Sequence, residues 1–299
     1  MKLFENITGK PIMLAGAHNG LSAKIVEECS FHGVWASGFE ISASYCLPDA
    51  NILSMNEVLN RVKEMVSAVK IPIIADCDNG FGNAVKVIKT VQGFEGVGVS
   101  GICIEDNVFP KRCSLYNGFR RRLESIEEFS EKIKVAVETK TNNNFMLIAR
   151  TEALIAGLGM KEALKRAKAY EEAGADAVLI HSKQENPLEV IEFAEKWKGS
   201  IPLVAVPTTY SSISAKELYN KGFKIVIFAN HAIRSSVKAM KNNLSELKKT
   251  GCISSIEAKI APVEEVFSLT GLDDLLKKEK IYPTLKNTKM YGINHKKSG

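Results

Sequence analysis

The 299-residue chain predicts a (β/α)8 barrel with extra helices after it. Three observations carry this expectation. A short apolar run followed by an amphipathic stretch recurs eight times; the runs do not alternate; and polar, chemistry-bearing residues gather where each run ends.

The runs, in order, are PIMLAGA (11–17), GVWASG (33–38), IPIIADCD (71–78), GICIED (101–106), FMLIARTE (145–152), DAVLIHS (176–182), IPLVAVP (201–207) and KIVIFANH (224–231). They are short and rich in Val and Ile. Continuous apolarity fits parallel strands buried on both faces. Between them, LSAKIVEE, IEEFSEKIKVAVETK, MKEALKRAKAYEEAG and LEVIEFAEKW repeat apolar residues at three- and four-residue spacing, as helices with one buried face do. A doubly wound sheet is the alternative, but no GxGxxG follows the first run. A helix over about 231–249 closes the eighth unit. The stretch SSIEAKIAPVEEVFSLTGLDDLLKKEK is then surplus to a barrel, and residues 250–285 are expected to form a helical arm rather than a separate domain.

Composition narrows the function classes. Hydrophobic residues are 45% and charged residues 25%, as in a soluble globular protein. The net charge of +6 sits mostly near the end, in LKKT, LLKKEK and NHKKSG. No basic stripe interleaved with aromatics appears, so nucleic acid is not an expected partner. No run reaches the roughly 20 apolar residues of a membrane span, and the start, MKLFENITGKPIML, lacks the apolar core of a signal peptide. The expected location is the cytoplasm. Six cysteines without CxxC spacing read as reduced and mostly buried thiols.

In a barrel the chemistry sits at the C-terminal strand ends. Those ends carry His18 and Asn19; Trp35, Ser37 and Gly38; Asp76 and Asp78; Glu105 and Asp106; Arg150 and Glu152; His181 and Ser182; Pro207; and Asn230 and His231. Asp76, Asp78 and Glu105 would repel one another if left unpaired. A hard divalent cation such as Mg²⁺ relieves this, and ion pairs to Arg150, Lys111 or Arg112 are the alternative. The run DNGFGN (78–83) supplies glycines for a tight loop beside an ion. Lys111, Arg112, Arg150 and His181 suit an anion. His32 and His295 lack such context and are expected to be solvated.

The segments AHNGLSAKIVEE, GVWASGFEISAS, ADCDNGFGN, IEDNVFPK, ARTEALIAG, AGADAVLIHSK and ANHAIR resemble signature segments of the phosphoenolpyruvate mutase/isocitrate lyase superfamily over nearly the whole chain. The resemblance implies a Mg²⁺-dependent barrel whose last helix swaps between the subunits of a homodimer or homotetramer. It also implies small 2-oxo acid substrates whose P–C or C–C bonds are made or broken. On that basis Asp76 would hold Mg²⁺, with Asp78 and Glu105 acting mostly through its waters. The backbone amides of Ser37 and Gly38, beside Trp35, would bind the carboxylate end. Lys111, Arg150 and His181 would surround a phosphonyl group, with Arg112 and Ser114 as further substrate contacts, and Asp49 would be a nucleophile-side or positioning carboxylate.

The branch turns on EDNVFPKRCS (105–114). Mutases of this superfamily carry EDKxxxxxNS, hydrolases usually have threonine at the second variable position, and C–C lyases carry KKCGH or KRCGH with cysteine as general acid. Here Asn107 and Cys113 replace the lysine and asparagine, and Ser114-Leu115 replaces Gly-His. With SGFEISASYCLPDANILSM (37–55), the resemblance implies phosphonopyruvate hydrolysis first, the mutase second and a C–C lyase using Cys113 third. The stretch 105–114 is expected to be a loop that closes over the substrate.

Overall fold

The computed structural model describes residues 9–116, 118 and 120–282, and His295 lies outside them. The eight apolar runs become eight parallel strands: β1 (Ile12–Ala17), β2 (Gly33–Ala36), β3 (Ile73–Asp76), β4 (Gly101–Glu105), β5 (Met146–Thr151), β6 (Ala177–Ile180), β7 (Leu203–Ala205) and β8 (Phe223–Phe228). They pair in sequence order and β8 returns to β1, so the sheet closes. Ile12 stands opposite Ile225 and Leu14 opposite Gly33. Closure removes both sheet edges, which settles the architecture against a doubly wound sheet.

Most strands bury both faces, which is why their runs do not alternate; β1 keeps Met13 and Ala15 half-buried and β8 exposes Lys224. One set, including Leu14, Trp35, Ile74, Met146, Ile148, Leu179 and Ile225, fills the barrel interior. The other, including Val34, Ile73, Ile102, Leu147, Val178 and Val226, packs outward under the helices. Those helices are α1 (Gly20–Glu28), α2 (Gly38–Ser44), α3 (Met55–Ala68), α4 (Ala84–Gly96), α5 (Ile126–Thr139), α6 (Gly159–Glu172), α7 (Leu188–Lys196) and α8 (Ala215–Asn220), whereas α9 (His231–Thr250), which follows β8, buries none of its residues. Several begin at caps legible in the sequence. Ser54 with Glu57 and Ser125 with Glu128 each form a reciprocal box that satisfies the first amides of α3 and α5.

By compactness the chain divides into residues 1–238 and 239–299. The second unit holds the end of α9, two short 3₁₀ turns, α10 (Val263–Leu269) and α11 (Leu272–Ile281). Residues 283–285 of the expected arm fall outside the described residues. Among the described residues no helix is long and apolar enough to cross a membrane.

Two expectations need correction. Of the six free cysteines only Cys77, Cys103 and Cys113 are buried, while Cys29, Cys46 and Cys252 are exposed. Position in an amphipathic stretch did not separate its two faces. His32 is not simply solvated either: its Nδ1 accepts the Met13 N–H at 3.0 Å, and burial, aided by Lys10, lowers its pKa.

Candidate active site

The mouth at the C-terminal strand ends holds a cavity of about 50 Å³, lined among others by Trp35, Ser37, Asp49, Asp76, Lys111, Cys113, Ser114, Arg150, His181, Thr208 and Asn230. A wider cavity of about 820 Å³ opens between residues 51–56 and Phe109, but it lacks this convergence of buried charge. The small cavity brings together residues from β2, β3, β5 and β6 with Lys111, Cys113, Ser114 and Leu115 of the segment after β4.

Asp76 ends β3, and the chain turns at once through DNGFGN. Asp78 and Phe81 adopt left-handed φ of 50° and 58°, beside Gly80 and Gly82 at 82° and 148°. Non-glycine residues are uncommon there and such strain concentrates at functional sites. The turn returns the Asp78 side chain to the mouth beside Asp76. A Cβ on Gly38 would stand 3.3 Å from both Asp76 Oδ2 and Asp78 Oδ1. Glycine at 38 therefore leaves open the space that both carboxylates face. Burial raises the pKa of Asp76 and Asp78, against the pull of Lys111.

Lys111 answers the question of how the acids are compensated. Its Nζ lies 2.6 Å from Asp49 Oδ1 and 2.8 Å from Asp78 Oδ1. Burial alone would lower its pKa, but Asp49, Asp78 and Glu105 outweigh that and hold it protonated. Glu105 accepts from Asn107 Nδ2 at 2.8 Å and lies 3.2 Å from Arg150 Nε. Among the described residues Asp76 makes no ion pair.

Arg150 continues the network. It meets Glu152 at 2.6 Å and donates to Ser114 Oγ, which in turn donates to Glu152 Oε2 at 2.7 Å. His181, at the end of β6, is buried with Nδ1 unpartnered among the described residues. Burial, then the Arg150 charge, pushes it down to about 3, so it is a neutral imidazole at neutral pH. Cys113 is buried, and burial with Asp49 pushes its thiol up to about 11. It is a thiol, not a thiolate.

Two of the sequence-predicted groups are placed differently from expectation. Arg112 is exposed and does not line the cavity, whereas Lys111, Cys113 and Ser114 on either side of it do. The Ser37 amide is already donated to Ala17 O at 3.1 Å, extending the β1–β2 ladder, and its hydroxyl caps Glu40 N. Of the two expected amides this leaves Gly38, whose N–H opens α2 and has no intrahelical acceptor.

Three residues escaped the sequence reading. Asn51 donates to Asp78 Oδ2 at 2.8 Å and accepts the Lys111 N–H at 2.6 Å, joining the acid turn to the loop. It sits in the same LPDAN stretch as Asp49, at a left-handed φ of 53°. Glu40 is fully buried and pairs with His18 at 2.9 Å. Arg121 binds the carbonyls of Arg112 and Cys113; within RRR no local signal distinguishes it.

No group of three or more His, Cys, Asp or Glu among the described residues forms an all-protein metal cage. Mg²⁺ does not require one, since it binds through one or two carboxylates, waters and substrate oxygens. Half-buried Asp76 and buried Asp78, around the space that Gly38 keeps free, fit that mode.

Comparison with known proteins agrees with this fold. The family model described as phosphoenolpyruvate phosphomutase matches residues 5–248. Phosphonopyruvate hydrolase of Variovorax sp. (strain Pal2) is 46% identical over 265 residues, 88% of this chain and 91% of that protein. The crystal structure of phosphoenolpyruvate phosphomutase from Streptomyces platensis subsp. rosaceus superposes with a TM-score of 0.91 at 45% identity, covering 94% of this chain and 97% of that one. A phosphonopyruvate hydrolase complexed with oxalate and Mg²⁺ superposes at 0.87 and 44% identity, over 92% and 95% of the two chains.

Proposed function

Because the chain belongs to the phosphoenolpyruvate phosphomutase family, we propose that it is an enzyme that hydrolyses phosphonopyruvate to pyruvate and phosphate. The observation that carries this reading is the content of the loop after β4. Lys111 and Ser114 reach the cavity, but the residue between them that faces inward is Cys113, a buried protonated thiol. A thiol is a weak donor and acceptor. It gives a departing phosphonyl group no amide to hold it for return to the pyruvate oxygen. The similarity to a hydrolase at 46% identity supports the same choice.

The residues divide the work by chemistry. Asp76 would hold Mg²⁺, with Asp78 and Glu105 acting through its waters. When bound, the ion supplies positive charge to the keto and carboxylate oxygens of the substrate. The Gly38 amide and Ser37 hydroxyl, above Trp35, orient the carboxylate end. Arg150, Ser114 and neutral His181 surround the phosphonyl oxygens, and Lys111 adds a buried cation. A loose phosphoryl transition state asks for such positioning and charge rather than a strong nucleophile. Asp49, 2.6 Å from Lys111, positions that ammonium and stands where an attacking water can be oriented. The loop, closed over the site, excludes bulk water.

A mutase is the second reading, favoured by the 0.91 superposition on a phosphomutase. A C–C lyase using Cys113 is the third; a protonated thiol is compatible with a general acid, but the Gly-His after it is absent. ³¹P NMR of the protein with Mg²⁺ and phosphonopyruvate separates them. Inorganic phosphate is expected; phosphoenolpyruvate without phosphate would establish the mutase, and an unchanged spectrum would point to the lyases.

The second unit supports a homo-oligomer. Ile253, Val263, Phe267, Leu275, Leu276 and Ile281 are exposed on its helices, and we propose that a second copy of the chain covers this apolar surface. Light scattering on the full chain tests it; a monomer would reject it.

A further inference from the structure

Arg121 lies on the trailing arm of the 105–124 loop, between two exposed arginines, Arg120 and Arg122. Its own side chain is only 3% exposed. Nη1 donates to Arg112 O at 2.6 Å, and Nη2 donates to Cys113 O. Nη1 also stands 3.9 Å from Glu152 Oε2. The base of the loop is a short ladder: Val108 N–H to Arg122 O at 3.3 Å, Glu124 N–H to Asp106 O at 2.8 Å, and the Asn107–Leu123 bridge. The ladder stops below the tip. Arg121 then crosses from one arm to the tip and closes the loop on itself.

That crossing bears on Cys113. The Cys113 N–H donates to Asp49 O at 3.1 Å, and its carbonyl receives Tyr116 N–H and Arg121. The residue is held on the barrel side through its amide and on the loop side through its carbonyl. Two successive carbonyls diverge, and a guanidinium offers donors in a fork that meets both; a lysine ammonium is a single point charge on a flexible stem. Glu152, bound to Arg150 and Ser114 as well, compensates the buried charge.

We propose that Arg121 is the positioning residue that latches the loop shut and fixes the backbone of Cys113 over the cavity. It acts through the loop, not on the substrate. The link to turnover rests on the hydrolytic reading above, whereas the latch itself does not.

The test uses the full chain, Arg121→Met and Arg121→Lys, each with and without Mg²⁺ and oxalate. Tryptic cleavage after Arg112 is followed by peptide mass, and kcat and KM for phosphonopyruvate are measured alongside. For Arg121→Met, cleavage after Arg112 should accelerate about tenfold, with protection by oxalate lost. Its kcat/KM should fall roughly 10²-fold, carried by kcat more than by KM. Arg121→Lys should recover part of both. Wild-type cleavage and protection in Arg121→Met would overturn the latch. Should that variant not fold, unchanged cleavage in Arg121→Lys overturns it instead. If the wild type leaves phosphonopyruvate untouched, the cleavage arm still decides, so failure of the reaction assignment remains separate.

Discussion

Two regions build the mouth in different ways. Asp76, Glu105, Arg150 and His181 sit on or directly after strands of a closed sheet, and their backbones are placed by ladder bonds. Lys111, Cys113 and Ser114 belong to a loop and are held at the cavity by contacts to Asp49, Asn51, Asp78, Arg150, Glu152 and Arg121. The difference teaches that the strand-end groups are fixed by the sheet itself, while the loop groups depend on contacts between distant segments. Strand-end substitutions should change the reaction and leave the fold alone. Loop substitutions should change closure.

The largest effect is expected at the rigid side. Asp76→Ala should lower Mg²⁺-dependent turnover by more than about 10³-fold with a native far-UV spectrum, because no other described carboxylate faces the Gly38 space without a cation partner. Retained activity would remove Asp76 as the metal residue. Next, Lys111→Met should cost about 10²- to 10³-fold in kcat/KM. It should also speed tryptic cleavage of the loop, since Asp49 and Asp78 lose their shared cation and repel. Turnover lost with unaltered cleavage would make Lys111 a purely chemical group.

Cys113→Ser is expected to cost roughly tenfold or less, as a packing residue would; abolished turnover would favour the general-acid reading. The same residue has a pH signature. Its thiol is pushed up to about 11, so it stays protonated through pH 9, where an ordinary thiol is already largely ionised. Alkylation read peptide by peptide should therefore be slow at pH 9 for Cys113, rising only toward pH 11, while exposed Cys29 and Cys46 react readily. Fast alkylation of Cys113 at pH 8 would contradict the burial. Smallest of all, Arg112→Ala should stay within about twofold of wild type in kcat/KM, since Arg112 does not line the cavity. A larger loss would place Arg112 inward in the working enzyme.

Eight non-alternating runs were enough to specify the barrel, because burial on both faces of a closed sheet writes continuous apolarity into the sequence itself. The strand-end residues were legible for the same reason: once the runs are located, Asp76, Glu105, Arg150 and His181 follow by position. The loop was not, because it has no period to read. Whether Lys111 or Arg112 turns inward depends on the dihedrals of a turn held by Asn51, 60 residues away. The ion pairing of Lys111 with Asp49, the use of the Ser37 amide by Ala17, and the choice of Arg121 from three adjacent arginines are likewise decided by contacts between distant segments. Local pattern determines which residues an element buries; only the closed tertiary structure determines which partners meet across elements, because hydrogen bonds and charges act over a few ångströms in space and not along the chain.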